Sequence, residues 1–252
     1  MFGRRILIFV ARPGDETAAC AAAISRARAQ GAEIFAFYLT HGCLARKDGD
    51  VARRRVEAEA VAARLGLTPL GWASRAARRI WRELPEAHAQ MRSAIAECAP
   101  DQVWFPAYEG GSSDRDALNA LGQLFVDQFA MLEFAEINFY GGAAQTQQFP
   151  FPDGSEEMIE LGPAEREQKR QLLDLYQSDA YGLAHVGLVR ECVRPLAVYD
   201  YSQPPHPGRL WYARHRWDPF HRAHADFTKP EQICEAVVSY FEDAWRGPPV
   251  LS

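Results

Sequence analysis

The chain has 252 residues, nearly half of them apolar, which is enough material to bury a sizeable core and excludes a disordered polymer. A net charge of -5 leaves no basic footprint for nucleic acid. Its five cysteines are scattered, odd in number and without a CxxC pair, so reduced thiols in a cytoplasmic protein are expected rather than a disulfide framework or a zinc knuckle. The apolar run at residues 6–11 is cut by Arg12, too soon for a secretory signal core, and no segment reaches the length of a bilayer span.

Strand and helix signals alternate through the first half. Residues 5–10 form a continuous aliphatic run, as in a central strand covered on both faces. An alanine-rich helix is predicted over 17–30, stopped by Gly31, and a second strand over 33–39. A helix over 50–65, a strand over 68–72, a helix over 84–98 and a strand over 102–105 follow. A helix over 118–131 and a fifth strand over 135–139 complete the series. From Gly141 the texture changes. Residues 145–152 (QTQQFPFP) suit an extended surface segment, 163–177 an amphipathic helix, 195–200 a late strand and 230–245 a final helix. The basic run RAARRIWR, from Arg75 to Arg82, is read as a solvated helix face.

Alternation of this kind indicates parallel β-α-β units with right-handed crossovers, and in such sheets ligands sit at the strand carboxyl ends where the strand order reverses. With the order 3-2-1-4-5, the loops after strands one and four face one crevice. Those two loops read ARPGDE (Ala11 to Glu16) and YEGGSSDRDA (Tyr108 to Ala117).

These loops resemble the two site motifs of the PIG-L/LmbE family of zinc-dependent N-deacetylases, AHPDDE and a glycine-rich loop carrying HxDH. The helix at 54–66, the stretch KRQLLDLYQS at 169–178 and ECVRPL at 191–196 are similar to further family segments. The resemblance implies an α/β fold: a doubly wound, mostly parallel, Rossmann-like sheet in a single domain, with residues 1–140 as its core and 141–252 as a C-terminal extension completing the pocket.

Carried over by position, the departures fall on the chemistry. The family's metal ligands correspond to Arg12, Asp15 and Arg115, its general base to Gly14, and its oxyanion histidine to Ser112, while the partner aspartate remains as Asp114. Guanidinium is always protonated and offers no lone pair, so only Asp15 could ligate zinc. No cofactor is therefore expected of this chain, although the family implies zinc. An all-oxygen site built from Asp15, Glu16, Asp114 and Asp116 is disfavoured by the two neighbouring guanidiniums. The arginines are expected to fill the vacated metal volume, with at least one paired to Asp15, because an unpaired buried arginine is costly. That pairing could serve only as an ion-pair plug, or it could leave a guanidinium open to a ligand carboxylate or phosphate.

The expected function is a non-catalytic or metal-independent binder of a small anionic metabolite or sugar derivative, or a partner subunit. Its ligand-binding residues are Arg12, Asp15, Glu16, His41, Arg54, Glu109 and Arg115, and its candidate catalytic groups Asp114 and Ser112. The alternative is an active N-acetyl-sugar deacetylase with non-standard metal ligation. A homo-oligomer or association with an active paralogue is compatible with either. For His41 a turn role stands beside ligand contact, and for Arg54 and Glu57 an intrahelical ion pair is the simpler account. His206, His215, His221 and His224 cluster late, and an aromatic, basic segment at 209–220 suits packing, sugar stacking or an interface.

Overall fold

A computed structural model describes residues 2–44, 48–216 and 227–246. Its centre is the strand β1 (Arg5–Val10), an aliphatic run buried on both faces from Ile6 onward. Helix α1 (Asp15–Ala29) crosses over to β2 (Glu33–Tyr38), and α2 (Asp48–Leu65) to β3 (Thr68–Trp72). The chain returns through α3 (Leu84–Cys98) to β4 (Gln102–Pro106), then through α4 (Ser113–Gly122) to β5 (Ala130–Phe134). These five strands are parallel and ordered 3-2-1-4-5, as expected.

The sheet then continues antiparallel, through β9 (Arg190–Pro195) to β8 (Glu157–Glu160) at the edge. A two-stranded ribbon, β6 (Ile137–Asn138) with β7 (Gln145–Thr146), stands beside it. Helices α5 (Pro163–Leu173), α6 (Ala180–Leu183) and α7 (Pro230–Arg246) complete the described strands and α-helices. One apolar cluster packs α1 and α2 on one face of the sheet, and a second packs α3, α4 and α7 on the other.

Four expectations need correction. The helix over 118–131 stops at Gly122, and residues 130–134 form the fifth strand, so the expected strand over 135–139 is displaced. A short apolar run does not distinguish strand from buried helix, and all ten residues of α4 are buried, which erases its polar face. The late strand lies at 190–195 rather than 195–200, because Glu191 and Arg194 are buried through ion pairs and so disguise a core strand. The segment 145–152 is not all surface: Gln147 is buried, donating from Nε2 to the carbonyls of Ala18 and Gly187, and Phe149 packs with Ala107, Ala135 and Cys192. The run at 75–82 is not a helix face. Arg75 is buried and donates to the Leu39 carbonyl, Gln90 and Glu83.

Candidate functional site

The loops after β1 and β4 meet at the strand carboxyl ends, and their meeting point is the Asp15 carboxylate, which is fully buried. Arg115 forks onto it, with Nη2 donating to Oδ1 at 2.8 Å and Nε to Oδ2 at 3.2 Å. Arg12 approaches from its own loop, Nε to Oδ1 at 3.1 Å and backbone N–H to Oδ2 at 3.2 Å. Burial opposes ionisation of Asp15, but the Arg115 and Arg12 guanidiniums outweigh it and hold the carboxyl below its ordinary range.

Two further carboxylates complete the cluster. Arg115 Nη2 also donates to Glu136 Oε1, and His185 Nε2 lies 3.6 Å from that same oxygen. Asp179 Oδ2 lies 3.3 Å from Arg12 Nη1 and 2.9 Å from Arg54 Nη1. Three guanidiniums thus face three carboxylates, and the group is formally neutral. The arrangement can hold and orient charge, with Asp15, Arg115 and Glu136 buried and Arg12 and Asp179 nearer the surface. Glu136, Asp179 and His185 escape the sequence reading. Asp179 stands one residue beyond the quoted stretch KRQLLDLYQS, and Glu136 is the acidic residue in the apolar run AEINF.

The other expected site residues take positions that build the loops. Glu109 is buried, and its Oε1 accepts from the amides of Glu136 at 2.8 Å and Ile137 at 2.9 Å. Burial pushes its pKa up to about 8 against the opposing effect of those amides. Asp116 accepts from the amides of Glu109 and Gly110, and burial raises it to about 7. Asp114 accepts from the amides of Arg78 at 2.5 Å and Ile80 at 2.9 Å, and Ser112 caps α4 by accepting from the Asp114 amide at 3.3 Å. The candidate catalytic pair therefore faces backbone donors instead of the Asp15 cluster.

Glu16 also turns away from the crevice. It accepts from the Gly14 amide, the Thr17 hydroxyl and the Tyr176 hydroxyl, and burial raises it to about 7. His41 Nδ1 accepts from the Cys43 amide at 3.2 Å, a turn contact, while its ring lines a cavity beside the cluster. Arg54 and Glu57 do not pair with each other. Arg54 donates to the Ser178 hydroxyl and carbonyl, and Glu57 accepts from the Ser178 amide and hydroxyl. Among the late histidines, His206 contacts the Glu109 carbonyl from Nε2 at 3.1 Å. His221, His224 and Trp217 lie outside the described residues, as does the His215 side chain.

Residues 7–126, which carry both site loops, match the family model described as PIG-L, GlcNAc-PI de-N-acetylase. That span is just under half of the chain. Comparison with curated proteins finds no match. Among solved structures, a deacetylase of the teicoplanin biosynthesis pathway superposes with a TM-score of 0.62 at 18% identity, covering 76% of this chain and 97% of that one. The A40926 pseudoaglycone deacetylase Dbv21 superposes with a TM-score of 0.59 at 19% identity, over 79% of this chain and 100% of its own. GalB, the 4-carboxy-2-hydroxymuconate hydratase from Pseudomonas putida KT2440, gives 0.52 at 15% identity, over 73% and 82%. The sheet order matches the fold of these deacetylases, and at such identities the likeness establishes the fold alone.

Proposed function

We propose that this chain is a PIG-L-type protein whose metal centre has been replaced by an arginine–carboxylate cluster, and that it binds a small anionic metabolite or sugar derivative without zinc-dependent hydrolysis. The observation that carries the reading is the double clamp on Asp15. Both of its oxygens accept from Arg115, and Arg12 donates to both as well. A catalytic zinc takes three protein lone-pair donors and one open position for water. Here two of the three inherited positions present N–H donors, and among the described residues no three His, Cys, Asp or Glu side chains converge to hold a metal ion. The residues present do not fit the group, and no hydrolytic step is routed through it.

The position of the expected base supports the same reading. Gly14 adopts φ +106, and a Cβ there would meet Leu183 at 3.2 Å, so the loop is shaped around a residue without a side chain. Deacetylation and hydration are both named among the structural neighbours, so the fold does not by itself select a reaction. Elemental analysis of protein purified with zinc in the buffer, together with acetate release from N-acetylglucosamine derivatives, tests the proposal. The expected result is substoichiometric zinc and no acetate above the uncatalysed rate. One tightly held zinc per chain, or turnover abolished by a chelator, would overturn it.

A further inference from the structure

Asp179 satisfies the charge of its arginine partners but not their geometry. Its Oδ2 is 2.9 Å from Arg54 Nη1, yet the two are misaligned, and neither atom makes a hydrogen bond. The Arg54 side chain is only 6% exposed, so an undirected N–H there lacks compensation from bulk water. Arg12 Nη1 lies farther off, at 3.3 Å, and its side chain is 24% exposed. Two guanidiniums thus converge on one oxygen of an in-chain carboxylate, at the solvent side of a cluster whose deeper half, Asp15 with Arg115 and Glu136, is closed by well-directed bonds.

A cavity opens beside this point. It encloses about 170 Å³ at the carboxyl ends of β1 to β3, lined by Pro13, His41, Val51, Arg55, Trp72 and Ser74. Trp72 is held flat by stacking on Tyr38 at 3.9 Å, and the Arg55 guanidinium lies 5.6 Å from the Trp72 ring centroid. The clamp residues do not themselves line the cavity, but Pro13 does, and around Gly42 it comes close to them: a Cβ there would stand 3.2 Å from Arg54 Nη1, 3.3 Å from Pro13 Cδ and 3.6 Å from Arg12 Cβ. Pockets for drug-sized ligands run roughly 300–1,000 Å³, so this smaller volume suits a single ring.

We infer that Arg12 and Arg54 form an oxyanion clamp, currently occupied by Asp179, for the carboxylate or phosphate of a single-ring ligand whose ring lies in the cavity against Trp72. The inference rests on the metal-free reading above and specifies its ligand. A carboxylate that displaces Asp179 keeps the cluster neutral, a phosphate monoester adds up to about one further negative charge, and either can align with both guanidiniums in the geometry that bidentate recognition favours. The in-chain carboxylate lowers apparent affinity by the fraction of molecules in which it occupies the clamp.

Calorimetric titration of the wild type, Asp179→Asn and the double variant Asp179→Asn/Arg12→Gln tests this. The probes are glucuronate, glucose 6-phosphate and benzoate, with glucose as the uncharged control and inorganic phosphate as the ringless one. At least one ring anion should bind Asp179→Asn about tenfold or more tightly than the wild type. Its binding should vanish in the double variant, and glucose should not bind. The arm that responds separates carboxylate from phosphate recognition. Thermal shift on the same samples covers a loss of stability in Asp179→Asn, which a bound anion should restore. The inference is overturned if ring anions bind neither protein, if Asp179→Asn gains no affinity, if binding survives the loss of Arg12, or if glucose or inorganic phosphate binds as tightly as the ring anions. Zinc content of the same samples keeps the two readings apart. Stoichiometric zinc defeats the metal-free reading, whereas zinc-free protein indifferent to all ring anions defeats the clamp alone.

Discussion

Arg115 is among the largest fully buried side chains in the molecule, and its worth depends on its partners more than on its own burial. Burial opposes its charge, but Asp15 and Glu136 raise its pKa, so it stays cationic at any working pH. Arg115→Ala takes the guanidinium from buried Glu136 and leaves Asp15 to Arg12 alone, and should cost about 3–5 kcal/mol in urea denaturation. A loss below about 1 kcal/mol would mean that the cluster is hydrated. Titration at single residues sets a pH dependence with a definite sign. Glu109 at about 8 and Asp116 at about 7 hold their protons more tightly folded than unfolded, where carboxyls titrate near ~4. The stability they confer is complete below the unfolded value and is lost as pH rises through about 7 to 8. Asp15, lowered by its arginines, works in the opposite sense: its contribution is present above the ordinary carboxylate range and lost as pH falls through its folded value. Melting temperature should therefore decline between pH 5 and pH 8.5. In Glu109→Gln, which keeps an acceptor for the two amides, that decline should be shallower.

At the scale of elements, α1 is a broken helix mended by a strand. Cys20 has φ -143, outside helical geometry, and beyond it the amides of Ala22 and Ala23 donate to Glu191 on β9 at 3.0 and 2.9 Å. Lys169 on α5 supplies the counter-charge at 2.8 Å. The arrangement ties α1, whose first turn carries Asp15, to the antiparallel half of the sheet. Glu191→Ala leaves a buried ammonium and two amides without partners and should cost about 3–5 kcal/mol. Glu191→Gln, whose single carbonyl oxygen still accepts from one of the two amides, should cost less, and equal losses in the two variants would assign the whole effect to the ion pair. The loop before α1 is a smaller test. Gly14→Ala places a side chain at φ +106 against Leu183 and should destabilise by about 1–3 kcal/mol on thermal unfolding. The sequence pattern marks α1 to α3 to within about two residues, because helix-favouring, alanine-containing runs end at the breakers Gly31, Gly66 and Pro100. It misses β9 because Glu191 and Arg194, charged yet buried, make a core strand resemble a polar one.

Across the whole molecule, the parallel sheet brings positions 12, 15 and 115 together from loops that the chain order keeps far apart. If that scaffold is the one on which a metal site would be built, Arg12→His with Arg115→His should take up about one zinc per chain, read by elemental analysis against the wild type in parallel. A folded double variant that stays empty would show that the loops have moved away from ligand geometry as well as composition. Acetate release is not expected from it, since Gly14 still offers no base.

The residues of one chain determine which strands alternate with which helices, and that two loops at a strand switch point each carry an arginine beside acidic residues. Those facts are local, written in hydrophobic period and in side-chain type. That Arg12 and Arg115 share a single carboxylate, that Glu136 and Asp179 neutralise them, and that Asp114 and Ser112 instead secure backbone amides depends on contacts between residues distant in sequence. Ion pairing acts over a few ångströms of space, and only the folded sheet sets those distances.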